Sequence, residues 1–226
     1  MAAPGSQDRG IVRDALGIGV ATGAHALSFG AISVAAGLSV LQTCALSLLV
    51  FTGASQFAFV GVLGAGGSGI AAAGTAVLLG ARNALYGLRL SPLLHVRGWR
   101  RPLVAQLVID ESTAMAVSRP PGRAARLAFF ATGGAVFVLW NLGTLLGALG
   151  GELLRDPGVL GLDAAVPAAF LALLAPRMRT REPWAVALVA AAVALVAVPF
   201  VPVGVPVLLA ALAGGLLALR TPARSA

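Results

Sequence analysis

From about residue 11 to residue 219 the chain is a succession of apolar stretches. Several approach or exceed the ~20 residues that cross a hydrocarbon core. That one feature removes most folds. Lipid offers the backbone no hydrogen-bond partners, so each stretch must satisfy its own N–H and C=O groups, and the helix does this within a single segment. The composition agrees: 58% of the residues are hydrophobic, the mean hydropathy is +0.93 and only 11% are charged, against about a quarter in a soluble domain. The expectation is one all-α polytopic integral membrane domain over residues 1–226, with about seven transmembrane helices, some broken or re-entrant. A polar tail at residues 1–10 and a C-terminal tail at 220–226 flank it, with no room for a sizeable soluble domain.

The net charge is +8 and every basic residue is Arg. A pI near 11.7 suits nucleic-acid binders, but the Arg residues sit mostly in short connectors, as the positive-inside rule expects. Aromatic residues do not interleave with them as a base-stacking surface requires. No nucleic-acid partner is expected; the lipid bilayer is. The Arg clusters at 97–101, 119–126, 177–181 and in the C-terminal tail are expected in the cytoplasm, with the connectors at 152–156 and 198–203 outside. The N-terminus is less clear. Counting back through three single spans puts it outside, whereas Arg9 and Arg13 favour the inside. A hairpin-like break in the first segment would remove the conflict. Residues 1–10 lack the order of a signal peptide, so the first apolar stretch is expected to remain in the mature protein. Cys44 is the only cysteine, which leaves no intrachain disulfide and no thiolate metal site.

The spans read as 11–38, continuous or broken near Gly23–His25, then 38–63, 70–90, 127–151, 159–175, 184–198 and 203–219. Residues 64–69 (GAGGSG) form a turn by composition. Residues 103–117 are short and acidic at the centre, and fit a re-entrant helix, an interfacial helix or a short buried span. Gly143, Gly147 and Gly151 recur every four residues, a close-packing stripe for another helix.

Polar residues inside such spans are costly. Ser55 and Gln56 lie in the middle of 38–63, with Gly53 to loosen the helix; they are either interhelical glue or ligands for an ammonium and a carboxylate. Arg82 sits in an apolar stretch beside Asn83, with Tyr86 one turn on. A charge at the bilayer centre costs at least ~2.5–3.5 kcal/mol on insertion scales. Arg82 therefore either snorkels to the interface, pairs with Asp110 or Glu111, or meets an anionic solute. Asp110 and Glu111 either are solvated on an interfacial helix or act as counter-ion and proton site. His25 is a packing residue or a proton relay. Asp163 reads as a helix-start residue or as the partner of an extracellular Arg such as Arg155, and Trp99, Trp140 and Trp184 as interfacial anchors or packing residues. No HExxH, GxSxG or Lys-containing phosphate loop is present, and His, Cys and carboxylates do not cluster. No enzymatic activity, cofactor or metal is expected.

Taken together these residues resemble the AzlC-type branched-chain amino acid permeases. Phe51-Thr-Gly-Ala-Ser-Gln-Phe-Ala58 is similar to that family's Phe-x-Gly-Ala-Ser-Gln-Phe signature. Arg82 to Gly87 is similar to its Arg-x-x-Leu-Tyr-Gly element, and Asp110–Glu111 to its Asp-Glu pair. Trp140-Asn-Leu-Gly-Thr144 and Gly161-Leu-Asp-x-Ala-x-Pro-Ala-x-Phe170 resemble its later landmarks, so the match runs in order from about Gly17 to Ala175. Two positions depart: many members carry Asn where this chain has Gly80, and His where it has Asn83. The resemblance implies proton-driven export of leucine, isoleucine and valine, with methionine as a further substrate. It also implies a small polytopic partner of the AzlD type in the cytoplasmic membrane. Ser55, Gln56 and Arg82 are then expected to hold the polar ends of the amino acid, supported by Asn83 and Tyr86. Asp110 or Glu111 would serve as proton site or counter-ion, and Phe51, Phe57 and Phe59 would face the aliphatic part. A transporter of another zwitterion or organic acid, or a non-transporting scaffold subunit, remain the competing readings.

Overall fold

The computed structural model describes residues 4–153, 178, 181–202 and 205–220, and all its regular elements there are helices. They are α1 (Pro4–Ala35), α2 (Val40–Leu49), α3 (Ala54–Gly64), α4 (Gly69–Gly80), α5 (Arg82–Leu94), α6 (Arg100–Ala105), α7 (Asp110–Val117), α8 (Arg123–Leu153), α9 (Arg181–Ala197) and α10 (Val205–Arg220). The expected span at 159–175, with Asp163 and the 161–170 element, lies outside the described residues.

Helices α1 and α8 are long and apolar enough to cross a membrane, and they form the spine of the molecule. Their small residues fix the packing. A Cβ placed on Gly143 would lie 2.2 Å from Gly23 O, on Gly147 2.0 Å from Leu27 O, and on Gly151 3.0 Å from Ala31 Cα. Each contact joins residues 120 apart, so the two helices run parallel in register. Backbones this close exchange dispersion contacts that lipid cannot match, which is the role of small-residue stripes in membranes. The glycine stripe of α8 is thus filled by α1 of the same chain. Gly17, Gly19, Gly23 and Gly30 do not break α1, which is one continuous helix. The expected polar tail at residues 1–10 is also helical from Pro4.

Ion pairs fix the spine's shared starting end. Asp8 Oδ2 meets Arg123 Nη2 at 2.7 Å, and Asp14 Oδ2 meets Arg119 Nη2 at 3.2 Å. The N-terminus therefore lies at the same end as the 119–126 connector, here called the basic end. At 1.5 Å per residue, Trp140 lies about 26 Å along α8 from Arg123, near the helix centre. That residue marks mid-depth.

The segment read as a single span at 38–63 does not cross. Helix α2 leaves the far end of α1 and descends along α8, where Ser47 Oγ lies 3.2 Å from Thr144 Oγ1. The chain turns at mid-depth. Phe51 packs edge-on against Phe137 at 5.0 Å between ring centroids, and Gly53 lies under Trp140. Helix α3 then climbs back, so that Gly64 ends beside Ala36 at the far end. The physical reason is local: Gly53 has φ +61°, a left-handed conformation that interrupts the helix and that L side chains rarely adopt.

After the 64–69 turn, α4 descends beside α3 until Gly80 lies against Ser55. Helix α5 continues to the basic end, where Leu90 and Leu94 cluster with Ala116 and Phe129. The expected span at 70–90 is therefore two helices in tandem, broken at Ala81. The backbone ladder passes from Ala81 N–H (to Val77 O, 2.9 Å) to Ala84 N–H (to Ala81 O, 3.1 Å).

Residues 100–117 form a second, opposite hairpin. Helix α6 enters from the basic end; at its tip Gln106 Nε2 donates to Leu48 O at 2.7 Å, and Leu107 lies against Gly133. Helix α7 returns to the basic end, where Ala116 joins Phe129 and Arg119 meets Asp14. The 103–117 segment is thus re-entrant. With 38–63 folded back as well, the path from α1 to α8 crosses once, through α4–α5, and the conflict over the N-terminus disappears. Helices α9 and α10, apolar but short, pack on each other.

Candidate functional site

Three helices begin at mid-depth: α3 at Ala54, α5 at Arg82 and α7 at Asp110. The first N–H groups of any helix lack intrahelical acceptors and carry a positive partial charge. Helices α2 and α4, which start at the far end, cover theirs with Ser39 and Ser68, whose hydroxyls accept from Gln42 N–H and Ala71 N–H. The three mid-depth starts have Gly53, Ala81 and Ile109 at the corresponding position and no side-chain cap there. Three uncapped positive helix ends therefore begin near the centre of the molecule, at the two hairpin tips and the α4–α5 break.

The side chains at these starts are the ones the sequence singles out. Arg82 Nη2 meets Asp110 Oδ2 at 2.8 Å, joining the start of α5 to that of α7. Arg82 does not snorkel. Its side chain is 23% exposed and that of Asp110 33%. Among the described residues, Arg82 Nε and Asp110 Oδ1 are buried without partners, as are Asn83 Oδ1 and Ser55 Oγ. Ser55 is 1% exposed and faces Gly80, where an added Cβ would sit 3.2 Å from the hydroxyl. The Gly at 80, one of the two departures from the resemblance, thus packs directly against the Ser55 hydroxyl. Glu111 follows Asp110 on the first turn of α7 and is partly buried. Tyr86 lies one turn below Arg82 and packs against the Leu90–Phe129 cluster.

Gln56 has a different setting. It is fully buried. Its Oε1 accepts from Gly53 N–H at 3.0 Å, and its Nε2 donates to Leu46 O at 3.3 Å. One amide closes the break between α2 and α3, supplying the partners that lipid would withhold.

Behind these groups lies an aromatic wall. Phe29, Phe57, Trp140 and the His25 ring lie 5.1–6.4 Å apart between centroids. His25 Nε2 and Trp140 Nε1 are buried in it without partners among the described residues. Trp140, read from sequence as an interfacial anchor or packing residue, is a mid-depth packing residue. Phe51 and Phe57 belong to this core and Phe59 packs at its edge.

The sequence reading misses two residues. Gln106 ties the inner hairpin to α2. Ser112 staples the inner tip: its Oγ donates to Leu107 O at 2.6 Å and accepts from Ile109 N–H at 3.2 Å. Its position at N3 of a helix that starts at Asp110 is a capping signal, hidden because the helix start itself was not legible. Among the described residues no group of three or more His, Cys, Asp or Glu side chains could hold a metal.

No solved structure matches the chain. The chain is similar to the inner membrane protein YgaZ of Escherichia coli strain K12, at 29% identity over 179 residues, 75% of this chain and 73% of that protein. The family model described as AzlC protein matches residues 17–154, which include α2 to α7 and every mid-depth group described above. The chain belongs to the AzlC family, a family of membrane transporters.

Proposed function

We propose that the chain is the large subunit of a two-component exporter of branched-chain amino acids, and that the solute binds where the three uncapped helix starts and the Arg82–Asp110 pair come together. The observation that carries this reading is that pair, at 2.8 Å and mid-depth. A zwitterion can enter between a guanidinium and a carboxylate and replace one ion pair with two. No net charge is added to the low-dielectric site, so the desolvation penalty stays compensated. An organic acid would pair with Arg82 and leave Asp110 a buried, uncompensated charge, which disfavours that competitor.

The roles follow from position. Arg82, Ser55 Oγ and the start of α3 take the substrate carboxylate. Asp110 takes the ammonium group, with Asn83 and Tyr86 in support, and Glu111 is the proton site. Gln56 acts through the backbone it holds. Phe51 and Phe57 offer the apolar wall for a leucine, isoleucine or valine side chain. By the positive-inside rule the basic end faces the cytoplasm, with the C-terminus on that side, and a small AzlD-type membrane protein completes the transporter.

The test is efflux from cells preloaded with a leucine-containing dipeptide, with the chain expressed alone and with its partner. The expected result is faster release of leucine, isoleucine and valine that depends on the partner. Unchanged release, with both proteins demonstrated in the membrane, would overturn the proposal and favour the scaffold reading.

A further inference from the structure

A second polar feature lies far from mid-depth. At the basic end, the last turn of α5 and the first turns of α8 enclose a cleft of about 530 Å³. Its polar rim is His95, Arg123 and Arg126, and its apolar side includes Leu93, Leu127 and Phe130. The two halves of the lining point to one kind of ligand: an anionic head joined to an apolar tail.

The cations have different duties. Arg123 is committed to Asp8. Arg126 is exposed and has no acidic partner within ion-pair distance among the described residues. His95 ends α5 in a left-handed conformation, φ +53°, with its N–H bonded to Ser91 O; this backbone turn places its ring on the rim. The depth is fixed independently. Trp99 is 73% exposed and stacks under Arg100, 5.6 Å from the guanidinium carbon to the ring centre. That is the setting of an aromatic residue at a headgroup boundary. Phe130, 37% exposed, lies one turn deeper along α8 than Arg126, on the hydrocarbon side of that boundary.

We propose that this cleft is a binding site for an anionic glycerophospholipid. The phosphate lies between Arg126 and His95 and an acyl chain runs along Leu127 and Phe130. A basic recess between membrane helices at the interface has the chemistry for such a headgroup. A zwitterionic lipid is disfavoured because its ammonium group would be brought to an already cationic rim. The site shares no residue with the mid-depth cluster, so it stands or falls apart from the transport proposal.

The experiment uses the full-length protein, purified in detergent and stripped of lipid. Short-chain phosphatidylglycerol is titrated against thermal unfolding followed by tryptophan fluorescence, with phosphatidylcholine and inorganic phosphate as separate arms. Saturable stabilisation by phosphatidylglycerol is expected, with no matching effect of the other two. Arg126→Gln should weaken the phosphatidylglycerol effect by about fivefold. Arg9→Gln, which removes an exposed charge from the same end of the molecule but outside the cleft, should leave it unchanged. Equal losses in both variants would reduce the effect to general electrostatics and overturn the site. Equal protection by phosphatidylcholine, or by phosphate alone, would overturn the choice of an anionic lipid.

Discussion

The two re-entrant hairpins, α2–α3 from the far end and α6–α7 from the basic end, solve one problem in different ways. Each reverses the chain at a depth where backbone groups have no solvent, and each closes its tip with a buried side chain: Gln56 in the first, Ser112 in the second. They differ in what stands beside the staple. The far hairpin presents neutral groups, with Ser55 and Gln56 at 1% and 0% exposure. The basic-end hairpin begins its returning helix with Asp110 and Glu111, both partly exposed. The far hairpin is thus an uncharged platform, and the basic-end hairpin carries the charge that a solute can meet. If that division is correct, charge changes on the second hairpin should abolish transport without unfolding the protein, and changes to the staple of the first should act through stability.

The largest expected effect breaks the comparison at its charged side. Arg82→Gln and Asp110→Asn should each reduce leucine efflux to the level of cells lacking the protein, at normal membrane abundance. The double variant Arg82→Gln, Asp110→Asn should recover stability, since no lone charge stays buried, but it should not recover transport. Efflux by the double variant at the wild-type rate would mean that the pair is structural.

Next comes the spine against which both hairpins are packed. Gly147→Ala places a Cβ against Leu27 O, a backbone atom that cannot turn aside. A loss of about 1–3 kcal/mol is expected from overpacking. It should appear as a lower unfolding temperature in detergent and reduced abundance. Gly150→Ala, on the same helix with open space around it, is the control and should be silent.

The staples should then separate the hairpins. Gln56→Leu leaves the part-buried Gly53 N–H unmatched, at a cost of about 1–3 kcal/mol. Ser112→Ala should cost less, about 1 kcal/mol: both changes leave a backbone N–H unmatched, but a methyl in place of the Ser112 hydroxyl needs little repacking, whereas Leu at 56 puts a branched side chain into a fully buried site. Equal losses would mean that the two tips tolerate repacking alike. A Gln56→Leu protein of normal stability that no longer transports would move Gln56 into the solute site.

How much of this was legible in the sequence depends on the range of the interactions concerned. The helical membrane class follows from apolar length alone. The polar groups that come together at mid-depth were found because Arg82, Asp110, Ser55 and Gln56 are each too costly in lipid to be accidental. The topology was harder. Residues 38–63 have the length and hydropathy of a span, and only Gly53 with a positive φ distinguishes two stacked half-helices from one whole helix. Nothing local says that Gly64 returns to Ala36. The glycine stripe at 143–151 announces close packing, but its partner, Gly23 to Ala31, lies 120 residues away and in the same chain. Asp8–Arg123 and Asp14–Arg119, which settle the N-terminal end, are likewise long-range pairs.

The smallest effect bears on a side-chain hydrogen bond between the hairpins, Gln106 Nε2 to Leu48 O at 2.7 Å. Helix α2 also packs on α8 through Ser47 and Thr144, so Leu48 is held from two sides and the loss of one bond should be tolerated. Gln106→Leu is expected to cost about 0.6 kcal/mol, the average for hydrogen bonds between helices in a membrane. Its value is diagnostic. If the two tips move apart during transport, the bond is broken once per cycle, and removing it should change the efflux rate more than the stability. If the hairpins move as one body, rate and stability should fall together. The bond was invisible from sequence because Gln106 lies in a turn whose depth only the fold reveals, and it is the point at which the neutral and charged hairpins are joined.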